Sequence, residues 1–222
     1  LIDEMPPGRQ PVGTYVLTPR ERERAYALIR SQIENGRQAF IIYPLIEENE
    51  TSDTPAAVVE HKRLQSEIFP NFRVGLLHGR MKAEEKDAAM NSFRQGGYQI
   101  LVSTTVIEVG VDIPNATVML IEGANRFGLA QLHQLRGRVG RGGQQSFCLL
   151  IPETNDDIEN ERLQVMASTT DGFVLAEKDL EQRGPGQFLG TQQAGFPKMQ
   201  MSNLVDIHLI EKARRCAQKL FE

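Results

Sequence analysis

Apolar residues along the chain fall into two kinds of run. Short, nearly unbroken runs at 39–43, 73–77, 99–103, 117–121 and 147–151 have the length and continuity of strands buried on both faces. A shorter run at 14–17 precedes them. Between them apolar residues return every three or four positions, the pattern of helices with one buried face. The first helix opens at Thr18-Pro19-Arg20-Glu21, a capping box with proline at the first helical position, and runs to about Asn35 before Gly36. Others are predicted from near Pro55 to near Ile68, over 82–94 before Gly96-Gly97, and from Leu129 to about Arg138. Buried strands alternating with amphipathic helices make βαβ units, hence an α/β domain with a parallel sheet over residues 14–152.

The flanks read differently. Residues 1–13 carry Pro6, Pro7, Gly8, Pro11 and Gly13, the composition of a linker. An acidic loop, 47–53, interrupts the domain. After Pro152 the composition shifts: 153–161 holds five carboxylates in nine residues and opens a mainly helical extension, 153–222. Within it 184–195 is a loop rich in glycine and glutamine. Leu204, Ile207, Ile210, Ala213, Ala217 and Leu220 then recur at the spacing of a terminal helix.

Composition narrows the class. The chain has 222 residues, 40% hydrophobic and 24% charged, as expected of a globular protein with a real core and not of a disordered chain. No window approaches the ~18 uninterrupted apolar residues of a membrane span. Net charge is −4, from 25 basic and 29 acidic residues, so any contact with nucleic acid must be local and not a matter of bulk charge. Cys148 and Cys216 read as free thiols in a reducing compartment, the cytoplasm. The chain begins at Leu1 and not at methionine, which points to a piece of a longer polypeptide.

Three segments carry candidate chemistry. Residues 123–152 contain no acidic residue but four arginines, Arg126, Arg136, Arg138 and Arg141. Arginine offers a permanently charged planar fork matched to phosphate oxygens. Arg138 and Arg141 project from one side if a helix holds them, and Gly137, Gly140, Gly142 and Gly143 let a ligand or surface approach the backbone. The cluster lies between two buried strands and is therefore expected at the sheet edge where such folds bind ligands; the alternative is a solvated arginine face. Second, the strand at 99–103 ends in the hydroxyls Ser103, Thr104 and Thr105, suited to holding phosphate without sequence preference or to capping a helix. Asp112 follows, before Pro114, where it could equally be a turn residue. Third, Leu77-His78-Gly79-Arg80 directly follows a strand. His78 and His133 lack metal-ligand spacing with the cysteines, and no G-x-x-x-x-G-K-[ST] phosphate loop occurs. The arginines look like half of a phosphate-handling site.

These residues are recognisable. Residues 74–81, 100–114 and 134–141 look like motifs IV, V and VI of superfamily 2 helicases, the last fitting Q-x-x-G-R-x-x-R, and Ile2 to Arg9 looks like the segment joining the two motor lobes. Asp171-Gly172-Phe173, Asp179-Leu180 and the run from Arg183 to Gly195 are similar to a translocation motif shared by RecG and the transcription-repair coupling factor, with Gly-Pro-Gly and Gly-Thr-Gln closer to RecG. Gln187 and Gln192 stand where that family tends to have an acidic residue and an arginine. The chain thus resembles the second motor lobe of the RecG family of ATP-dependent DNA translocases.

The resemblance implies a RecA-like parallel sheet flanked by helices, with residues 1–13 as inter-lobe linker. It implies ATP and Mg2+ as cofactors, the magnesium ligands and phosphate loop lying on a first lobe outside this chain. Arg138 and Arg141 would be arginine fingers and Gln134 would organise the same face. Gly110 and Asp112 would lie near the nucleotide. Gly79, Arg80, Ser103, Thr104 and Thr105 would touch the DNA backbone, and Arg183, Gly184 and Gln193 would couple lobe closure to duplex movement. Branched or forked duplex DNA is the implied substrate. The N-terminal RecA-like lobe and the DNA-binding domain of the full-length chain are the implied partners, with no membrane. This piece alone is expected to be inactive as an ATPase. The coupling factor's motor lobe and a non-catalytic nucleic-acid-binding module are the alternatives.

Overall fold

Continuous apolar runs become six strands in the computed structural model, which describes residues 10–44, 56–104 and 113–183. They are β1 (Val12–Val16), β2 (Gln38–Tyr43), β3 (Val74–Leu77), β4 (Ile100–Thr104), β5 (Ala116–Glu122) and β6 (Ser146–Ile151). All pair in parallel, in the order β1-β6-β5-β2-β4-β3. Each central strand feeds two cores because side chains alternate between faces: Phe40 and Ile42 pack on one side, Ala39 and Ile41 on the other.

The helices are α1 (Arg22–Glu34), α2 (Ala56–Arg63), α3 (Ala83–Arg94), α4 (Leu129–Arg136), α5 (Glu161–Ser168) and α6 (Gly172–Arg183). At the entry to α1 the Glu21 carboxylate accepts both the Thr18 N–H and the Thr18 hydroxyl at 3.0 Å, tying down the predicted box. Tyr26, Ile29 and Ile33 of α1, with Leu64 and Phe69 beyond α2, cover one face. Met90 and Phe93 of α3, Leu129, Leu132 and Leu135 of α4, and Leu163 and Met166 of α5 cover the other. The segment Leu64–Ile68 continues α2 as a π-helical turn.

This arrangement creates a switch point. From β2 the chain crosses by α2 to β3 on one side of the sheet; from the neighbouring β5 it crosses by α4 to β6 in the opposite direction on the other face. The carboxyl ends of β2 and β5 therefore diverge and leave a crevice. By packing, Leu1–Leu175 forms one unit and Ala176–Glu222 a second, of which the end of α6 is described. No helix among the described residues is long and apolar enough to cross a membrane.

Candidate functional site

The arginine cluster is built by the way α4 ends. Leu129, Leu132 and Leu135 bury one face of the helix, leaving Gln134 exposed on another. The helix closes through Gly137 N–H to His133 O at 3.0 Å and Arg138 N–H to Leu135 O at 3.0 Å. The chain then turns sharply at Gly140, φ +76°, where a Cβ would stand 2.7 Å from Val12 Cγ2. Arg141 follows, its Nε donating to Gly137 O at 3.0 Å. A Cβ on Gly142 would collide with the Pro114 carbonyl, so bare backbone is what lets this turn meet the chain entering β5.

Val12, Pro114 and Ser146 all lie at or before the start of a strand. The turn at 137–143 therefore sits at the amino edge of the sheet. This corrects the expectation that it lies at the ligand-binding edge of the open α/β sheet, which is the carboxyl one. Its position depends on where a helix ends relative to its strands, and flanking by strands in sequence does not fix that.

At that edge Gln134, Arg138 and Arg141 line a cavity of about 470 Å³, facing Gln10 and Pro11 before β1 and Thr170 and Gly172 near α6. Among the described residues its lining includes three arginines and no carboxylate. Arg138 is half-buried, and its guanidinium donates no hydrogen bond to any described residue. Such a wall suits phosphate oxygens and offers nothing to a magnesium ion. No group of His, Cys, Asp and Glu able to hold a metal occurs among the described residues.

The second set of predicted residues lies at the opposite edge. Gly79 and Arg80 are exposed just beyond β3, in a turn closed by Met81 N–H to His78 O at 3.2 Å. The β3–β4 register pairs Leu77 with Ser103, bringing that turn beside the end of β4. Ser103 is wholly buried and donates its hydroxyl to Thr104 O at 2.6 Å. Thr104 is 5% exposed, and its Oγ1, like His78 Nδ1, is buried with no hydrogen-bond partner among the described residues. Thr105, Gly110, Asp112, Gly184 and Gln193, the acidic loop 47–53 and the terminal helix fall outside the described residues, as does the side chain of Arg183.

Sequence reasoning grouped Arg136 with the phosphate arginines, but its work is internal. It is 4% exposed and donates through Nη1 to Met166 O at 2.9 Å and Thr169 O at 2.8 Å, and through Nη2 to His133 Nδ1 at 3.1 Å. Arg162 of α5 reaches back to Phe127 O at 3.3 Å and Asn125 O at 3.4 Å. Arg136 at the end of α4 thus holds the end of α5, while Arg162 near the start of α5 holds the chain that leads into α4. A signal was available: Arg136 continues the buried series Leu129, Leu132, Leu135 at helical spacing, so it had to point inward.

A second cavity, about 500 Å³, occupies the crevice at the ends of β2 and β5. Its charged groups pair off. Glu122 takes Arg22 Nε at 2.8 Å and Nη2 at 3.0 Å, and Glu60 takes Arg63 Nη2 at 2.7 Å. Burial pushes the Tyr43 hydroxyl above its ordinary range, keeping it a donor to Glu60 at 3.2 Å. With its arginines already bonded to carboxylates, this cavity is not an anion site.

A six-stranded parallel sheet covered on both faces by helices is the architecture of a RecA-like lobe. Residues 21–143 match the helicase conserved C-terminal domain, and the chain belongs to that family. Residues 169–222 match the C-terminal part of domain 3 of the ATP-dependent DNA helicase RecG. Over 99% of its length the chain is 56% identical to RecG of Synechocystis sp. and 50% identical to RecG of Thermotoga maritima, spanning 26% and 28% of those proteins. A solved RecG bound to a three-way DNA junction matches 96% of this chain and 26% of that one at 45% identity, with a TM-score of 0.71. The second domain of the DEAD-box helicase Mss116p, solved with an RNA duplex, shares the fold: 19% identity, TM-score 0.52, 71% of this chain and 61% of that one.

Proposed function

We propose that the chain is the second motor lobe of an ATP-dependent DNA translocase that remodels branched DNA such as stalled forks. The observation that carries this is the cavity in which Gln134, Arg138 and Arg141 converge beside the chain entering β1, with no carboxylate among its described lining residues. In this reading ATP and Mg2+ sit between this lobe and a first lobe that supplies the phosphate loop and the magnesium ligands. ATP supplies the phosphoryl group whose hydrolysis drives the motor. Arg138 and Arg141 neutralise charge as it develops on that group, a contribution of ~10³–10⁵ in turnover for arginine fingers. Gln134 orders the same wall, and Gly110 and Asp112 border the nucleotide.

At the carboxyl edge Gly79 and Arg80, with Thr105, hold the DNA backbone; the hydroxyls of Ser103 and Thr104, expected to share that contact, are buried and brace the strand end instead. The likeness to a RecG solved on a three-way junction supports a branched substrate. Arg183, Gly184 and Gln193 couple lobe closure to duplex movement, which the match of residues 169–222 to RecG supports. The extension 153–222 is then the output side of a lobe spanning 14–152, acting in the cytoplasm with the first lobe and the DNA-binding domain of the whole protein.

ATP turnover by the full-length protein, with and without forked duplex, tests this beside Arg141→Ala. Strong stimulation by forks that the variant loses supports the reading; an unaffected variant, or no stimulation, refutes it.

A further inference from the structure

Among its described residues the cavity wall holds one titratable group besides the arginines, His133. Its Nδ1 lies 3.1 Å from Arg136 Nη2. A guanidinium can only donate, so Nδ1 must carry a lone pair and the ring proton must sit on Nε2. Arg136 is itself fixed by the Met166 and Thr169 carbonyls, so the tautomer is set by a rigid neighbour. Burial, and then the Arg136 charge, hold the imidazole below its ordinary value of 6.5, which keeps it neutral near pH 7.

The Nε2 edge of the ring borders Gly172, another residue of the cavity wall; a Cβ there would stand 3.2 Å from Nε2 and 3.5 Å from Cε1. The missing side chain at 172 leaves that edge open, and Nε2–H donates to no described residue. Three guanidiniums already line the cavity, where a fourth cation would raise their mutual repulsion. A neutral donor adds direction without adding charge.

We propose that His133, locked in its Nε2–H form by Arg136, is a ligand-contacting residue of this cavity that donates one hydrogen bond to a phosphoryl oxygen of the bound nucleotide. The inference rests on the cavity being the nucleotide site.

The test is binding of the slowly hydrolysed analogue ATPγS, with Mg2+, to the full-length protein and its variants, with thermal midpoints measured alongside. Asn at 133 keeps an acceptor for Arg136 and loses the distal donor. His133→Asn should therefore weaken binding about five- to tenfold, the worth of one neutral hydrogen bond, with little change in midpoint. His133→Gln returns an amide N–H near the Nε2 position, so it should recover most of the affinity at a lower midpoint. Gly172→Ala, which crowds Nε2 without altering the ring, should weaken binding like His133→Asn.

Wild-type affinity in both His133→Asn and Gly172→Ala, while Arg141→Ala abolishes turnover, overturns the role of His133 and leaves the nucleotide reading standing. Equal weakening in His133→Asn and His133→Gln, each with a lowered midpoint, also overturns it, because the ring would then be a brace for Arg136. An Arg141→Ala protein with normal turnover refutes the nucleotide reading and the inference with it.

Discussion

Arg136 shows how a charge can live in a core with no counter-ion among the described residues. Its acceptors Met166 O and Thr169 O lie where α5 ends and helix carbonyls lack partners of their own, a place where a cation is favoured. Arg136→Ala strands both carbonyls and opens a gap, so unfolding in urea should show a loss of about 2–4 kcal/mol. Arg136→Lys, a point charge without the fork, should recover less than half of it. The histidines set a pH dependence. His78 and His133 are both held below 6.5, chiefly by burial, so below that value the unfolded chain binds protons that the folded one refuses. Stability must then fall as pH drops through about 6.5, and His133→Asn should flatten the fall; urea midpoints between about pH 8 and 5 check this. Burial also drives the Cys148 thiol to about 12, so it is a packing residue that alkylating reagents should spare in the folded protein.

Elements carry the next set of constraints. Gly140 combines a left-handed φ with contact against Val12. Gly140→Ala should lower stability by roughly 2 kcal/mol, seen in the thermal midpoint, and shift Arg141 relative to β1. Where β5 leaves the sheet, the buried Glu122 carboxylate holds Arg22 at the head of α1. Glu122→Gln removes half of that fork; because Arg22 remains 36% exposed, the loss in urea unfolding should stay near 1–3 kcal/mol and not reach that of a fully buried pair. The strands β2 to β6 were legible because they are largely sealed on both faces and so read as nearly unbroken apolar runs, as in 39–43, whereas β1, with Tyr15 exposed, showed only as a shorter run at 14–17 and begins at Val12. The π-helical turn at Leu64–Ile68 left no such mark. The residues of the arginine wall could be read locally, since Gln134, Arg138 and Arg141 sit within one turn and its exit. Their edge of the sheet could not, because that follows from strand order, a property of pairings such as Val12 with Ser146. Arg136 was misjudged for a related reason: a charge in a basic segment reads as surface until its helical phase is compared with Leu132 and Leu135.

For the whole molecule, the arginine wall lies at one edge of the sheet, and the turn after β3 and the end of β4 lie at the opposite edge. With a net charge of −4, the lobe can hold DNA only through a few placed groups. Arg80→Ala in the full-length protein should weaken binding to all DNA sequences alike and make the dependence of log K on log salt shallower by about one. A steeper or sequence-selective effect would contradict a backbone contact. The sheet order also has a consequence in time. Of the six strands of this sheet β1 leaves the ribosome first, yet its pairing partner is β6, the last of them. Roughly 130 residues separate them, so at ~5–20 residues per second the strand waits on the order of ten seconds before its partner exists. Until then Val12–Val16 is an unpaired edge on a nascent chain, and the interval between translating β1 and β6 is when this lobe most needs protection from aggregation.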